Sequence, residues 1–211
     1  MNRTTLLAVL CLVFVPGAAL AQGKALKDKE AVTFNEIERG FYMGLTASPL
    51  GLWNLVNAPT ASGNGPFSSG QMAQVELGMD IGERLSLAVF VEGSSNRADS
   101  AYLGKSKVPG SASGDFSSIT PGAVVRVALL GIADSQEVKR TWIYIRAGAG
   151  FMIFSPSTLL PDPDILIFAG PGVEYHTRLR HFSIGIEVTG AFLVTSASVG
   201  FAISPNVRYA F

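Results

Sequence analysis

The chain has 211 residues with 16 basic and 16 acidic side chains, so its formal net charge is zero. No cationic surplus exists to neutralise phosphates, which excludes a nucleic-acid-binding role. Only 15% of residues are charged and the mean hydropathy is +0.35, apolar for a soluble secreted domain.

Arg3 supplies a positive n-region and Leu6 to Val15 an apolar h-region. Ala19-Leu20-Ala21 is an A-x-A cleavage site, so residues 1–21 read as a signal peptide and the mature chain starts at Gln22. Loss of Arg3 leaves one net negative charge. The only cysteine, Cys11, lies within this leader and lacks the small preceding residue of a lipoprotein site. The mature chain therefore has no thiol, disulfide or cysteine–metal chemistry. Residues 22–38 form a polar, Lys/Glu-rich periplasmic N-terminal segment, with Val32, Phe34 and Ile37 as its larger apolar residues. The rest, 39–211, is a single domain.

From Arg39 onwards apolar residues recur at every second position, the period of a strand. Gly40 to Ser48 places Phe41, Met43 and Leu45 opposite Tyr42, Gly44 and Thr46. Next, Ala73, Val75, Leu77, Met79 and Ile81 alternate with Gln74, Glu76, Gly78 and Asp80. A tight turn at Gly82-Glu83-Arg84 leads into Leu85, Leu87, Val89 and Val91, alternating with Ser86, Ala88, Phe90 and Glu92. The fourth strand opposes Ile119, Ala123, Val125, Val127 and Leu129 to Thr120, Gly122, Val124 and Arg126. The fifth, Thr141 to Met152, sets Ile143, Ile145, Ala147 and Ala149 against Tyr144, Arg146, Gly148 and Gly150. In the sixth, Ile165, Ile167, Val173 and Tyr175 oppose Phe168, Gly172, Glu174 and His176. The seventh follows a turn at Arg178–Arg180, with Phe182, Ile184, Ile186 and Val188 opposite Ser183, Gly185, Glu187 and Thr189. The last, from Ser198, puts Phe201, Ile203, Val207, Tyr209 and Phe211 on one face and Asn206 and Arg208 on the other. Val188 to Val207 is uncharged and about as long as a membrane helix, but its Gly, Ser, Thr and Pro content reads as two strands and a turn. Long polar connections at Leu50–Gly70 and Ser94–Phe116 alternate with short ones at Gly82–Arg84, Gly131–Lys139 and Thr177–Arg180. That asymmetry places both termini on the periplasmic side.

The pattern predicts an all-β fold: an antiparallel up-and-down transmembrane β-barrel of about eight strands. A soluble sheet also alternates, so the polar face decides. It is mostly Gly, Ala and Ser, with isolated Glu76, Asp80, Glu92, Arg126, Arg146, Glu174, Glu187 and Arg208. Small residues suit the narrow interior of such a barrel, and the two charge signs are expected to pair within it, since unpaired buried charge is expensive. The apolar face has no mid-strand Lys or acid and meets outer-membrane lipid. Phe41, Trp142, Phe151, Tyr175, Phe182, Tyr209 and Phe211 are placed for interfacial girdles.

Candidate chemistry is sparse. His181-Phe182-Ser183 puts a base and a nucleophile on one strand face, a spacing that resembles outer-membrane lipid A deacylases. The pair falls beside a periplasmic turn and faces the lumen, which favours a structural histidine. Glu174, His176 and His181 lack a metal-ligand spacing. Gly148-Ala149-Gly150 and Gly170-Pro171-Gly172 lie within strands and read as close packing, not as phosphate loops. A passive pore is disfavoured because so few strands leave a filled interior. No catalytic residue, cofactor or metal is expected. The long loops are the surface for partners.

The terminal strand, with Val207, Tyr209 and a final Phe211 as its recognition signal, resembles the closing strand of bacterial outer-membrane barrels, which implies the barrel assembly machinery as a partner. Residues Val32-Thr33-Phe34-Asn35-Glu36-Ile37-Glu38-Arg39-Gly40-Phe41-Tyr42-Met43-Gly44 resemble the start of a group of myxobacterial outer-membrane barrels that includes adventurous gliding motility proteins. The resemblance implies a non-enzymatic envelope or surface component, working in a motility and adhesion assembly through its loops or N-terminal segment.

Overall fold

A computed structural model describes residues 37–48, 67–98, 114–157, 162–195 and 198–211. The expected leader and most of the N-terminal segment lie outside them. Eight strands follow one another: β1 (Phe41–Ser48), β2 (Phe67–Ile81), β3 (Leu85–Ala98), β4 (Gly114–Ala133), β5 (Lys139–Ser155), β6 (Asp164–His176), β7 (Phe182–Leu193) and β8 (Ser198–Ala210). Each pairs antiparallel with the next, and β8 returns to β1 to close a barrel. The Phe211 N–H donates to the Phe41 carbonyl at the seam (2.9 Å). The wall therefore has no free edge, which satisfies its backbone groups without water. The end holding Phe41, Phe211 and the short turns is termed the terminal end, and the opposite one the far end.

The wall is inside out relative to a soluble protein. Val75, Leu77, Val89, Val125, Ile145 and Ile186 point outwards and are exposed, while Glu76, Arg126, Arg146, Glu174 and Glu187 point inwards and are buried. In water such a continuous apolar belt would be a liability; in hydrocarbon it is the required surface. No described outward position between Phe41 and Ala47, or between Leu85 and Ser95, bears a charge.

Several boundaries differ from the sequence expectation. β2 begins at Phe67, β3 continues to Ala98 and β4 starts at Gly114, so both long connections are shorter than the alternation suggests. Outward residues there are polar, as at Gln71, Ser95 and Ser117, which erases the contrast while the ladder continues. β4 also runs on to Ala133, past an irregularity between Ala128 and Leu130 that turns both Leu129 and Leu130 outwards. Trp142, expected in a girdle, is instead buried: it shares the inward face with Tyr144, and its Nε1 donates to the Lys139 carbonyl (2.9 Å). The remaining girdle residues face outwards. Phe182, Tyr209 and Phe211 form one aromatic cluster, with ring centroids 5.0 and 5.2 Å apart.

The lumen is filled by large side chains seated over glycines on the adjacent strand. Tyr42 lies across from Gly78 and Tyr144 across from Gly172. A Cβ at Gly172 would overlap the Tyr144 ring. Gly172→Ala should therefore cost about 1–3 kcal/mol through overpacking, read as a lower urea midpoint in vesicles. A Gly93→Ala control, where a Cβ meets nothing, should leave the midpoint close to wild type.

The β4–β5 turn supplies a test outside the membrane belt. Desolvation pushes the Asp134 carboxyl up, but the N–H groups of Gln136 (2.8 Å) and Val138 (3.2 Å) and the Arg140 guanidinium (2.9 Å) outweigh it and hold the group below the usual Asp range. Because the folded value is depressed, the turn contact is fully present above the unfolded value of about 3.9 and is lost as pH falls through the lower folded one. The Gln136 amide resonance should therefore titrate at a more acid pH than a free Asp, and Asp134→Asn should abolish the transition.

Candidate functional site

The interior is stacked in layers. At the terminal mouth, Arg39 donates to the Glu83 carbonyl (2.9 Å) and its guanidinium lies 5.3 Å from the Trp142 ring centroid. Lys139 approaches Glu83 at 3.8 Å, and Arg180 pairs with Glu38 at 2.7 Å.

Deeper in, Glu174 organises the first buried cluster. Arg126 donates to both of its carboxylate oxygens, Arg208 reaches it at 3.3 Å, and the Ser183 hydroxyl donates to it at 2.7 Å. His176 Nε2 lies 3.4 Å away. Arg208 also pairs with Asp80 (2.8 Å), which accepts from Ser86 as well (2.6 Å). The two guanidinium groups stack on aromatic faces, Arg126 over Tyr144 at 3.7 Å and Arg208 over Tyr42 at 3.6 Å. Those contacts suit the flat, weakly hydrated guanidinium and would be lost with lysine.

The next layer centres on Arg146, which bridges Glu76 (2.8 Å) and Glu187. Gln74 donates to Glu76 (3.3 Å), Tyr144 to Glu187 (3.2 Å) and Asn206 to the Tyr144 hydroxyl (3.2 Å). Water-sized cavities of about 10 to 20 Å³ lie within these polar layers. Glu92 departs from the expectation that the interior acids pair. It is buried, but Arg146 is already committed to Glu76 and Glu187, and Glu92 Oε1 has no hydrogen-bond partner among the described residues.

Towards the far end large apolar side chains share the lumen with the buried polar Ser94, Asn96, Ser118 and Thr120. Phe90 and Phe168 meet edge to face with centroids 5.6 Å apart, and Phe116 and Phe154 lie at 6.4 Å. Met72, Met152, Leu166 and Leu193 complete this plug. The sequence reading missed it, because Phe90 and Phe168 sit in the parity assigned to the polar face. The glycines facing them across the barrel wall, Gly122 and Gly148, were the available clue.

The remaining sequence candidates separate. His181 Nδ1 faces the Ala210 carbonyl (2.8 Å) and its ring stacks on Tyr209, whereas the Ser183 hydroxyl is bonded to Glu174. The serine thus faces a carboxylate already engaged by Arg126 and Arg208, and no histidine is aligned on it. Among the described residues, no group of three His, Cys, Asp or Glu is arranged to hold a metal ion. Val207 and Phe211 face outwards and Tyr209 is half-exposed beside them. A shallow concavity of about 1000 Å³ lies on the outer wall, floored by Ala123, Ala147 and Ala149 at the waist of the barrel.

The chain matches no family model and no curated protein. Among solved structures it is similar to Neisserial surface protein A, with 17% identity over 83% of this chain and 100% of that one, at a TM-score of 0.53. It also resembles the outer membrane enzyme PagL, with 11% identity over 81% and 99% of the two chains and a TM-score of 0.39, a likeness too loose to bear on function. The chain has the fold of a small outer-membrane eight-stranded barrel.

Proposed function

We propose that this chain is a non-enzymatic barrel of the bacterial outer membrane, with both termini in the periplasm. It serves as an envelope or surface component, binding partners through its far-end connections or its N-terminal segment. The observation that carries this reading is the filled lumen: among the described residues ion pairs occupy the terminal half, and aromatic, aliphatic and small polar side chains fill the far half. Such an interior supports neither a conducting path nor a substrate pocket, so the far-end connections and the N-terminal segment remain as the working surfaces. The lipid A hydrolase reading is weakened by Ser183 being bonded to Glu174 and not to a histidine.

The gliding role rests on the resemblance at residues 32–44 and is proposed on that basis. A deletion strain scored for single-cell movement tests it, and unimpaired movement would remove the motility role. Fractionation tests the location: recovery in the soluble periplasm would reject the barrel reading. Purified protein in planar bilayers should show no steady ion conductance, and a steady current would revive the pore. A Ser183→Ala strain should keep its lipid A acylation unchanged.

A further inference from the structure

We propose that the terminal mouth of the barrel binds one small monovalent anion of chloride size, held by Arg39, Arg84 and the Nε–H of Arg208. The site rests on the charges of that mouth and stands whatever partner the barrel serves. Arg39, Arg84, Arg126 and Arg208 line a cavity of about 20 Å³ together with Asp80, Glu83 and Glu174. Four guanidinium groups thus meet three carboxylates, which leaves one positive charge unbalanced. His176 also lines the cavity, and a proton on it would only add to the surplus.

The carboxylates are spent elsewhere. Glu174 accepts from Arg126, Arg208 and Ser183, and Asp80 from Arg208 and Ser86. Glu83 is approached at 3.8 Å by Lys139, which does not line the cavity. Arg39 donates to the Glu83 backbone carbonyl and faces the Trp142 ring. Neither Arg39 nor Arg84 meets a carboxylate among the described residues.

A second observation points to the same place. Arg208 is 7% exposed, and its Nη1 and Nη2 are bonded to Glu174 and Asp80. Its Nε is buried and has no hydrogen-bond partner among the described residues. Buried donors are rarely left empty, and this one belongs to a residue that lines the cavity. A water would satisfy the N–H but not the surplus charge; an anion does both. Trp142 and Ala128, both buried, give the cavity an apolar wall that keeps the attraction from being screened. The Trp142 indole N–H is committed to the Lys139 carbonyl and the Ser86 hydroxyl to Asp80, which leaves the guanidinium groups as donors.

Size sets the class of ligand. The cavity admits one water-sized occupant, which suits a halide and excludes phosphate, sulfate and other polyatomic oxyanions. A metal cation would be repelled by the same guanidinium groups. The bound ion ties the chain entering β1, through Arg39, to the β2–β3 turn at Arg84 and to β8 at Arg208.

The test uses the full-length barrel in vesicles with the same salt on both sides. Replacing gluconate by chloride at constant ionic strength should raise the wild-type urea midpoint and reach a plateau. Arg84→Gln, at an exposed turn position, should lose most of that rise. Arg178→Gln, at a likewise exposed arginine outside this cavity, should keep it. A bromide-soaked crystal of the barrel should show an anomalous peak within hydrogen-bond reach of Arg208 Nε. A wild-type midpoint indifferent to chloride, a rise that R84Q keeps in full, or a loss shared equally by R178Q would overturn the site. So would a water without anomalous signal beside Arg208 Nε in the bromide crystal.

Discussion

Replacing Arg146 by methionine is expected to destabilise the barrel by about 3–5 kcal/mol, the usual cost of stranding a buried partner. Arg146 is the bridge between Glu76 and Glu187, lies 4% exposed, and also stacks 5.4 Å from the Phe168 ring. Its loss leaves two carboxylates without a cation in a layer that already contains Glu92. The measurement is urea unfolding of the folded protein in vesicles. Lysine should rescue only part of the loss, because one ammonium cannot span both acids in the guanidinium's forked geometry. Removing the acids as well, in Arg146→Met with Glu76→Leu and Glu187→Leu, should recover most of it, because a well-packed apolar layer serves as well as an ion network. A single Arg146→Met variant as stable as wild type would mean that these charges are hydrated, and the sealed lumen would have to be abandoned.

Val89→Lys is expected to cost about 2–4 kcal/mol, the range for a cation at mid-depth on a lipid-facing strand. Val89 is 62% exposed and has the outward residues Leu87 and Val91 on either side along its strand. On a protein bathed in water the same change would be nearly neutral, since an exposed valine gives up little when replaced by a polar chain. The experiment therefore measures the solvent outside the wall. Ser95→Lys, on the same face towards the far end, should be tolerated at a small fraction of that cost, and the contrast between the two positions maps the edge of the hydrocarbon.

The outer wall was legible in the sequence because lipid tolerates no break in it: Val75-x-Leu77-x-Met79 and Val125-x-Val127-x-Leu129 announce both the strand and the face. The interior was legible only as an inventory. Glu76 and Arg146 are 70 positions apart in the chain, and their meeting is set by the stagger of strands around the barrel, which alternation does not encode. Parity alone would have turned Trp142 inwards with Tyr144; an expectation that aromatics near strand ends form girdles overrode it. His181 and Ser183 share a parity, but His181 belongs to the turn before β7, and its ring swings to Tyr209 and the Ala210 carbonyl. Strand ends at the far side were lost where serine and glutamine replace apolar residues outside the belt.

The seam has a consequence for how this molecule comes into being. Among the described residues the β1–β8 ladder runs from Tyr42 to Thr46, while β3 and β4 stay zipped from Leu85 to Ala98. Among the described pairings the cylinder thus closes through its shortest suture, between the first and the last strands of the wall. Chain-closure entropy weighs most heavily on such a long-range union. Neighbouring hairpins in the middle of the polypeptide close short loops, yet the ring stays open until β8 meets β1. Without β8 the edges of β1 and β7 would both stand unmatched in oil, so one strand serves as the clasp of the whole ring.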